Sequence, residues 1–177
     1  MAHLVSQIAR FERCLDDDAP LEDVLPSICR ANEARYRGYT IRKLCREMHD
    51  FYKSNNVKQL QKEMFRHDHL PKASLLPQAA HYEFIRGNAE LVPLEKAEGR
   101  IAVEGALPYP PGVLCVVPGE VWGDSALRYF LALEEGINRF PGFAPELQGV
   151  YVREDEDGRK RAYGYVLERE KEVEILD

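Results

Sequence analysis

The stretch EGALPYPPGVLCVVPGEVWGD, residues 104–124, restricts the fold more than any other part of this 177-residue chain. It sets four prolines and four glycines around a short apolar core, Val113 to Val117. Each proline locks one backbone angle and removes one N–H donor, so the stretch cannot be a helix or a long central strand. It reads as a stiff, kinked ribbon. Within it, VLCVV is expected to be a short, fully buried strand, because it is uniformly apolar and does not alternate.

The chain before the ribbon has helical periodicity. Leu4, Ile8, Phe11 and Leu15 recur at helical spacing over residues 3–15. DDDAPLEDVLP then interrupts the pattern, and Ala19-Pro20 is the best boundary, with Pro20 suited to the first turn of the next helix. Thr40 is placed to cap a helix over 41–54 whose apolar face is Ile41, Leu44, Cys45, Met48 and Tyr52. A further helix over 57–66 is expected to bury Val57, Leu60 and Met64 or Phe65, and HDHLPKASLLP follows as a loop. Pro77 starts another helix and Gly87 ends it.

From residue 88 onward the texture is that of strands. AELVPL and RIAVEGA read as short strands, and Asp124 is expected to cap the longest helix, over 125–139. GVYVRE and AYGYVLE flank DEDGRK, whose Asp157-Gly158 is a hairpin signal. The charged tail REKEVEILD is expected to fray. The fold class is therefore α+β: N-terminal helices followed by a small mixed β-sheet with one long helix packed on it.

A net charge of −6 argues against binding a phosphate backbone, which needs a basic face. No apolar run approaches the roughly 20 residues of a membrane span. Cys14, Cys29, Cys45 and Cys115 are scattered, with no C-x-x-C pair, as expected for reduced thiols in a cytoplasmic protein. Neither nucleic acid nor membrane is an expected partner.

Residues able to do chemistry are few. His67-Asp68-His69 would suit a metal only with a third ligand, and it lies in a loop; no metal is expected. Ser125 opens a helix but does not stand in a G-x-S-x-G elbow. Glycine-rich phosphate loops are absent. Glu104 and Glu120 flank the ribbon, and Glu134 and Glu135 follow it, with no spacing that makes either pair converge. The residues by themselves describe an α+β domain with no self-contained active site.

The ribbon also carries a resemblance. GRIAVEGALPYPPGVLCVVPGE resembles the C-terminal part of the bacterial inducible-type ornithine/lysine/arginine decarboxylases, which are large pyridoxal-phosphate enzymes of the aspartate-aminotransferase fold. RYFLALEEGINRFPGFAPELQGVY, LCREMHDFYKSNNVKQLQKEMF and LPQAAHYEFIRGNAELV extend it over nearly the whole chain, and EGALPYPPGVLCVVPGE looks most like the ornithine decarboxylases. The resemblance implies two parts. Residues 1–18 would finish the preceding aminotransferase-like small domain, with Met1 an added or internal start. Residues 19–177 would be the decarboxylase C-terminal domain.

The family forms its Schiff base on a lysine in a Ser-x-His-Lys motif, and this chain has no His-Lys dipeptide. The resemblance thus implies pyridoxal phosphate in a full-length lyase that turns ornithine into putrescine and CO2. It implies no cofactor bound to this fragment, no catalytic residue in it, and no activity of it alone. Expected partners are the remaining domains, neighbouring subunits of a homo-oligomer and the amino-acid substrate. Tyr109 matches the tyrosine near the active-site mouth, and Glu104 and Glu120 are expected to attract a cationic amine there. Two other readings stay open: a free-standing, non-enzymatic regulatory or interaction module of the same fold, and a small hydrolase using Ser125 or a metal at His67 and His69.

Overall fold

The computed structural model describes residues 2–109 and 112–176, so Pro110 and Pro111 of the ribbon lie outside the described residues. Helix α1 (Ala2–Asp16) leads into three short helices, α2 (Leu21–Val24), α3 (Pro26–Ala31) and α4 (Glu33–Tyr36). Pro20 sits just before α2, not inside its first turn, and bridges to Thr40. Leu15 packs on the helical core, but Leu4, Val5, Ile8 and Phe11 of α1 are exposed, so most of its apolar stripe has no cover here.

Helix α5 (Ile41–Ser54) starts where expected, with Thr40 Oγ1 accepting from the Lys43 N–H at 3.3 Å. Its buried side chains are Ile41, Leu44 and Phe51; Cys45 is exposed. Residues 41, 44, 48 and 51 are spaced by three or four, which places Cys45 at the margin of their stripe. Together with Leu21, Tyr36 and Phe140 they form one apolar cluster. Tyr36 donates to Pro141 O at 2.9 Å, and burial pushes its phenol up to about 12. Arg35 holds Glu47 at 2.7 Å and Arg139 O at 2.9 Å, fastening α4 and α5 to the C-terminal end of the long helix.

Helix α6 (Val57–Glu63) buries Val57 and Leu60, and Met64 follows them inside while Phe65 stays exposed. Helix α7 (Pro77–Arg86) ends on Gly87, whose φ of +84° makes it the left-handed cap that glycine adopts without strain.

Strand β1 (Ala89–Pro93) and a 3₁₀ turn, Leu94–Lys96, precede the ribbon. RIAVEGA forms no regular strand; it makes isolated bridges, Ile101 to Val121 and Ala106 to Val116. VLCVV is no strand either: Cys115 and Val116 are buried, but Val113 and Leu114 are exposed. Prolines at 108 and 118 supply no N–H, so a continuous ladder cannot form across this segment. One three-residue strand does occur within it, β2 (Leu107–Tyr109).

Helix α8 (Asp124–Arg139) begins with Asp124 inside it and Gly123 at the cap position, where no side chain caps. It buries Leu127, Phe130, Leu133 and Ile137, which recur at helical spacing, while Leu131 is only half-buried. Strand β3 (Glu146–Gln148), which no sequence signal marked, pairs with β2; β4 (Tyr151–Glu154) and β5 (Lys160–Leu167) form the expected hairpin. As expected, helices precede the sheets and one long helix packs on one of them. The two sheets, β1-β5-β4 and β2-β3, are small and paired antiparallel throughout.

Helix α8 lies across β5. Asn138 spans Lys160 by donating to its O at 2.7 Å and accepting from its N–H at 2.8 Å, and Glu134 accepts from the Ala162 N–H at 2.7 Å. The tail, expected to fray, instead forms helix α9 (Arg169–Leu176). Glu172 accepts from the Ile101 N–H at 3.0 Å and from Arg100 at 3.1 Å, which anchors the helix to the start of the ribbon.

Candidate functional site

The ribbon doubles back on itself. Ala106 N–H donates to Val116 O at 2.9 Å, and Ala106 O accepts from Cys115 at 2.9 Å. Further along, Gly119 N–H donates to Ala102 O at 2.7 Å, and Ser74 and Leu75 both donate to Gly119 O. The 72–75 loop and residues 100–106 thus grip the ribbon from two sides. Two contacts admit only glycine. A Cβ on Gly119 (φ +91°) would lie 2.3 Å from Leu75 O, and one on Gly149 (φ +69°) would lie 1.9 Å from Gly105 O.

Tyr109 ends β2 opposite Glu146 and is 53% exposed. Its ring lies against Gly112, whose N–H donates to Pro108 O at 3.0 Å. Its phenol has no hydrogen-bond partner among the described residues. Glu120 is engaged differently: Oε2 accepts from the Val117 N–H at 2.7 Å while its own N–H donates to Val117 O at 3.0 Å. Its carboxylate thereby locks the Val117–Glu120 turn, and the Pro-Gly order inside suits a turn with positive φ at its third residue. Glu104 accepts from Tyr151 Oη at 2.9 Å. Burial, followed by this carboxylate, raises the Tyr151 phenol above its ordinary value. No hydrogen bond joins Tyr109, Glu104 and Glu120 to one another; of the three, Tyr109 carries the free polar group.

Tyr151 escaped sequence reasoning because its spacing with Tyr163 and Tyr165 suits a core. Its position on an edge strand is what turns it toward Glu104. Glu134 is buried, and burial raises its carboxyl, offset in part by the Ala162 N–H. Ser125 is buried and donates to Glu63 at 3.3 Å, with no histidine among its hydrogen-bond partners. His69 lies 3.7 Å from Asp68, which Arg66 holds; among the described residues no group of three or more His, Cys, Asp or Glu could hold a metal. The cysteines among the described residues are free, and burial pushes the Cys115 thiol up to about 11. No described helix is long and apolar enough to cross a membrane.

A mostly apolar slot of about 290 Å³ abuts the ribbon, lined by Met64, Phe65, Pro108, Val113, Cys115 and Tyr129 with Gln61. Its one hydrogen-bonding pair, Gln61 to Tyr129 at 3.2 Å, is satisfied internally. A carboxylate that locks a turn, a tyrosine left free and glycines at close backbone contacts define a domain that holds an exposed, stiffened ribbon in one shape.

Comparison with known proteins narrows the class to a family. Residues 58–168 match the model of the Orn/Lys/Arg decarboxylase, C-terminal domain. The inducible ornithine decarboxylase of Escherichia coli K12 is 64% identical over 167 residues, covering 94% of this chain and 23% of that protein. The ornithine decarboxylase of Haemophilus influenzae is 63% identical over the same length, with the same coverage. Among solved structures, lysine decarboxylase A from Pseudomonas aeruginosa superposes with a TM-score of 0.84 at 33% identity, over 94% of this chain and 22% of that one. The chain belongs to the Orn/Lys/Arg decarboxylase C-terminal domain family, and it spans about a quarter of the length of the relatives it matches.

Proposed function

We propose that this chain is the C-terminal domain of a cytoplasmic, pyridoxal-phosphate-dependent ornithine decarboxylase, shaping the active-site entrance and oligomer contacts of the full-length enzyme. One observation carries the choice of substrate: identity is 64% to an ornithine decarboxylase but 36% to a lysine decarboxylase of Pseudomonas aeruginosa. The parent reaction releases CO2 from ornithine and leaves putrescine, a polyamine precursor.

The cofactor does not fit the residues of this chain. Its chemistry needs a lysine enclosed beside a carboxylate partner for the pyridine nitrogen. The lysines that line the cavities described here, Lys43, Lys53, Lys58, Lys62 and Lys160, are exposed or half-buried, and none is enclosed. The domain's own contribution is mechanical and electrostatic. The turn that Glu120 closes and the glycine contacts at 119 and 149 hold the ribbon in one shape, so Tyr109 is presented at a fixed position on a wall. A phenol held in this way offers a hydrogen bond at little ordering cost. The uncovered stripe of α1, Leu4, Val5, Ile8 and Phe11, supports docking of residues 1–18 on the preceding domain, because an apolar face of this kind is rarely left open.

A chimera tests the reading. In the Escherichia coli inducible ornithine decarboxylase, the matched C-terminal segment is replaced by this chain. The chimera is expected to release CO2 from ornithine, and this chain alone is not. A folded, assembled chimera that acts on lysine but not ornithine would overturn the substrate. In the active chimera, Tyr109→Phe is expected to raise KM for ornithine; an unchanged KM would remove Tyr109 from the entrance.

A further inference from the structure

The largest cavity described, about 700 Å³, does not adjoin Tyr109, Glu104 or Glu120; it opens between α5, α6, α8 and the 143–145 segment. Its volume lies within the range of about 300–1,000 Å³ usual for small-molecule pockets. Tyr52, Val57, Tyr129, Leu133 and Phe143 give it an aromatic and aliphatic floor. Lys53, at the end of α5, and Lys58 and Lys62, one turn apart on α6, stand around it.

The charge balance of this cavity is the reverse of the chain's. The protein has 30 acidic residues and a net charge of −6, yet no Asp or Glu lines the cavity. Elsewhere Arg35, Arg86, Arg100 and Arg161 are each tied to a carboxylate. Lys53, Lys58 and Lys62 have no ion-pair or hydrogen-bond partner among the described residues. Like charges gathered at one cavity repel each other, and a bound anion relieves that repulsion. Asn56 adds an amide donor at the same rim, while Gln59 there donates to Glu63 at 2.7 Å.

We infer that this cavity binds a small organic anion with a flat apolar body: the aromatic floor takes the body, and the three lysines take the head group. A diamino acid or diamine, being cationic, is excluded by the same three charges. The inference holds whatever reaction the parent enzyme performs.

The test uses the whole chain and 8-anilinonaphthalene-1-sulfonate, an aromatic sulfonate whose fluorescence rises in apolar surroundings. Its neutral counterpart without the sulfonate, N-phenyl-1-naphthylamine, is the control. One exposed ion contact changes affinity by a few-fold at most, so Lys53→Gln/Lys58→Gln/Lys62→Gln is expected to weaken the sulfonate by about 10-fold. The neutral control is expected to change less than about two-fold. Each single Lys→Gln variant is expected to cost a few-fold, which keeps the test valid if the triple variant is poorly folded. NMR shifts on titration are expected at Leu133 and Ala144. Sulfonate affinity unchanged in the triple variant, or shifts confined to the exposed faces of α1 or α7, would overturn the proposal.

Discussion

Removing the Glu172 carboxylate tests what holds α9 in place. The Arg100 side chain is 8% exposed and Glu172 16%, so their pair is largely out of water. Glu172→Ala leaves Arg100 with Glu90 at 2.5 Å and Leu167 O at 2.6 Å, so the cost falls below the ~3–5 kcal/mol of a fully stranded buried charge; about 2 kcal/mol is a fair share. The same change strands the Ile101 N–H, which adds about 1 kcal/mol. The sum, about 3 kcal/mol, corresponds to a urea midpoint lowered by about 1.5 M if the slope is about 2 kcal/mol per M. Trp122, the chain's one tryptophan and 1% exposed, reports the transition by fluorescence. Glu172→Gln keeps an acceptor for Ile101 and is expected to lose about half as much. Hydrogen exchange should show α9 amides opening in the alanine variant before the β1-β5-β4 sheet does. A Glu172→Ala midpoint within about 0.25 M of the parent, or about 0.5 kcal/mol at that slope, would refute the reasoning, since that is the range of an ordinary surface substitution.

Three further outcomes are expected. Gly149→Ala places a Cβ 1.9 Å from Gly105 O at a φ of +69°, so it should cost about 3 kcal/mol or more, read as a fall in melting temperature; a near-neutral result would mean that the β2-β3 junction is pliant. Glu134 has a folded carboxyl value above its ordinary 4.5, so the native state binds the extra proton. Its contribution is intact below the ordinary value and is lost as pH rises through the folded one. Glu134→Gln should therefore flatten the decline in stability over that window, and an identical pH profile would contradict it. Thiol labelling of the native chain should modify exposed Cys45 and spare Cys115, whose buried thiol lies at about 11; fast labelling of Cys115 would show the ribbon opening.

The helices were legible because their signals are local. Thr40 before Ile41, Pro77 at a helix start and Gly87 after Arg86 each act within one turn of backbone, and the apolar spacing of α8 named its buried face. The Asp157-Gly158 turn was equally local, with Gly158 at φ +76°. The ribbon was legible as a family mark and as a stiff segment, but not as a structure. Its pairings join residue 119 to 74 and 75, and 107–109 to 146–148, partners that no spacing along the chain announces. VLCVV looked like a buried strand because apolar composition reports burial but not pairing, and prolines on either side denied it a ladder.

The roles of the carboxylates were illegible for the same reason. Glu104, Glu120, Glu134 and Glu172 are alike in sequence, four charged residues near apolar ones. In the folded chain one accepts from a tyrosine, one locks a turn, one is buried against a strand and one anchors the last helix. By itself the sequence determined the α+β class, the helix ends marked by Thr40, Pro77 and Gly87, the hairpin and the family, all of which depend on short-range backbone geometry or on the residues themselves. The tertiary structure alone decided which carboxylates became structural, which tyrosine stayed free and where the unpaired lysines gathered. A charged group's role depends on what lies within about 4 Å of it, and those neighbours arrive from distant parts of the chain.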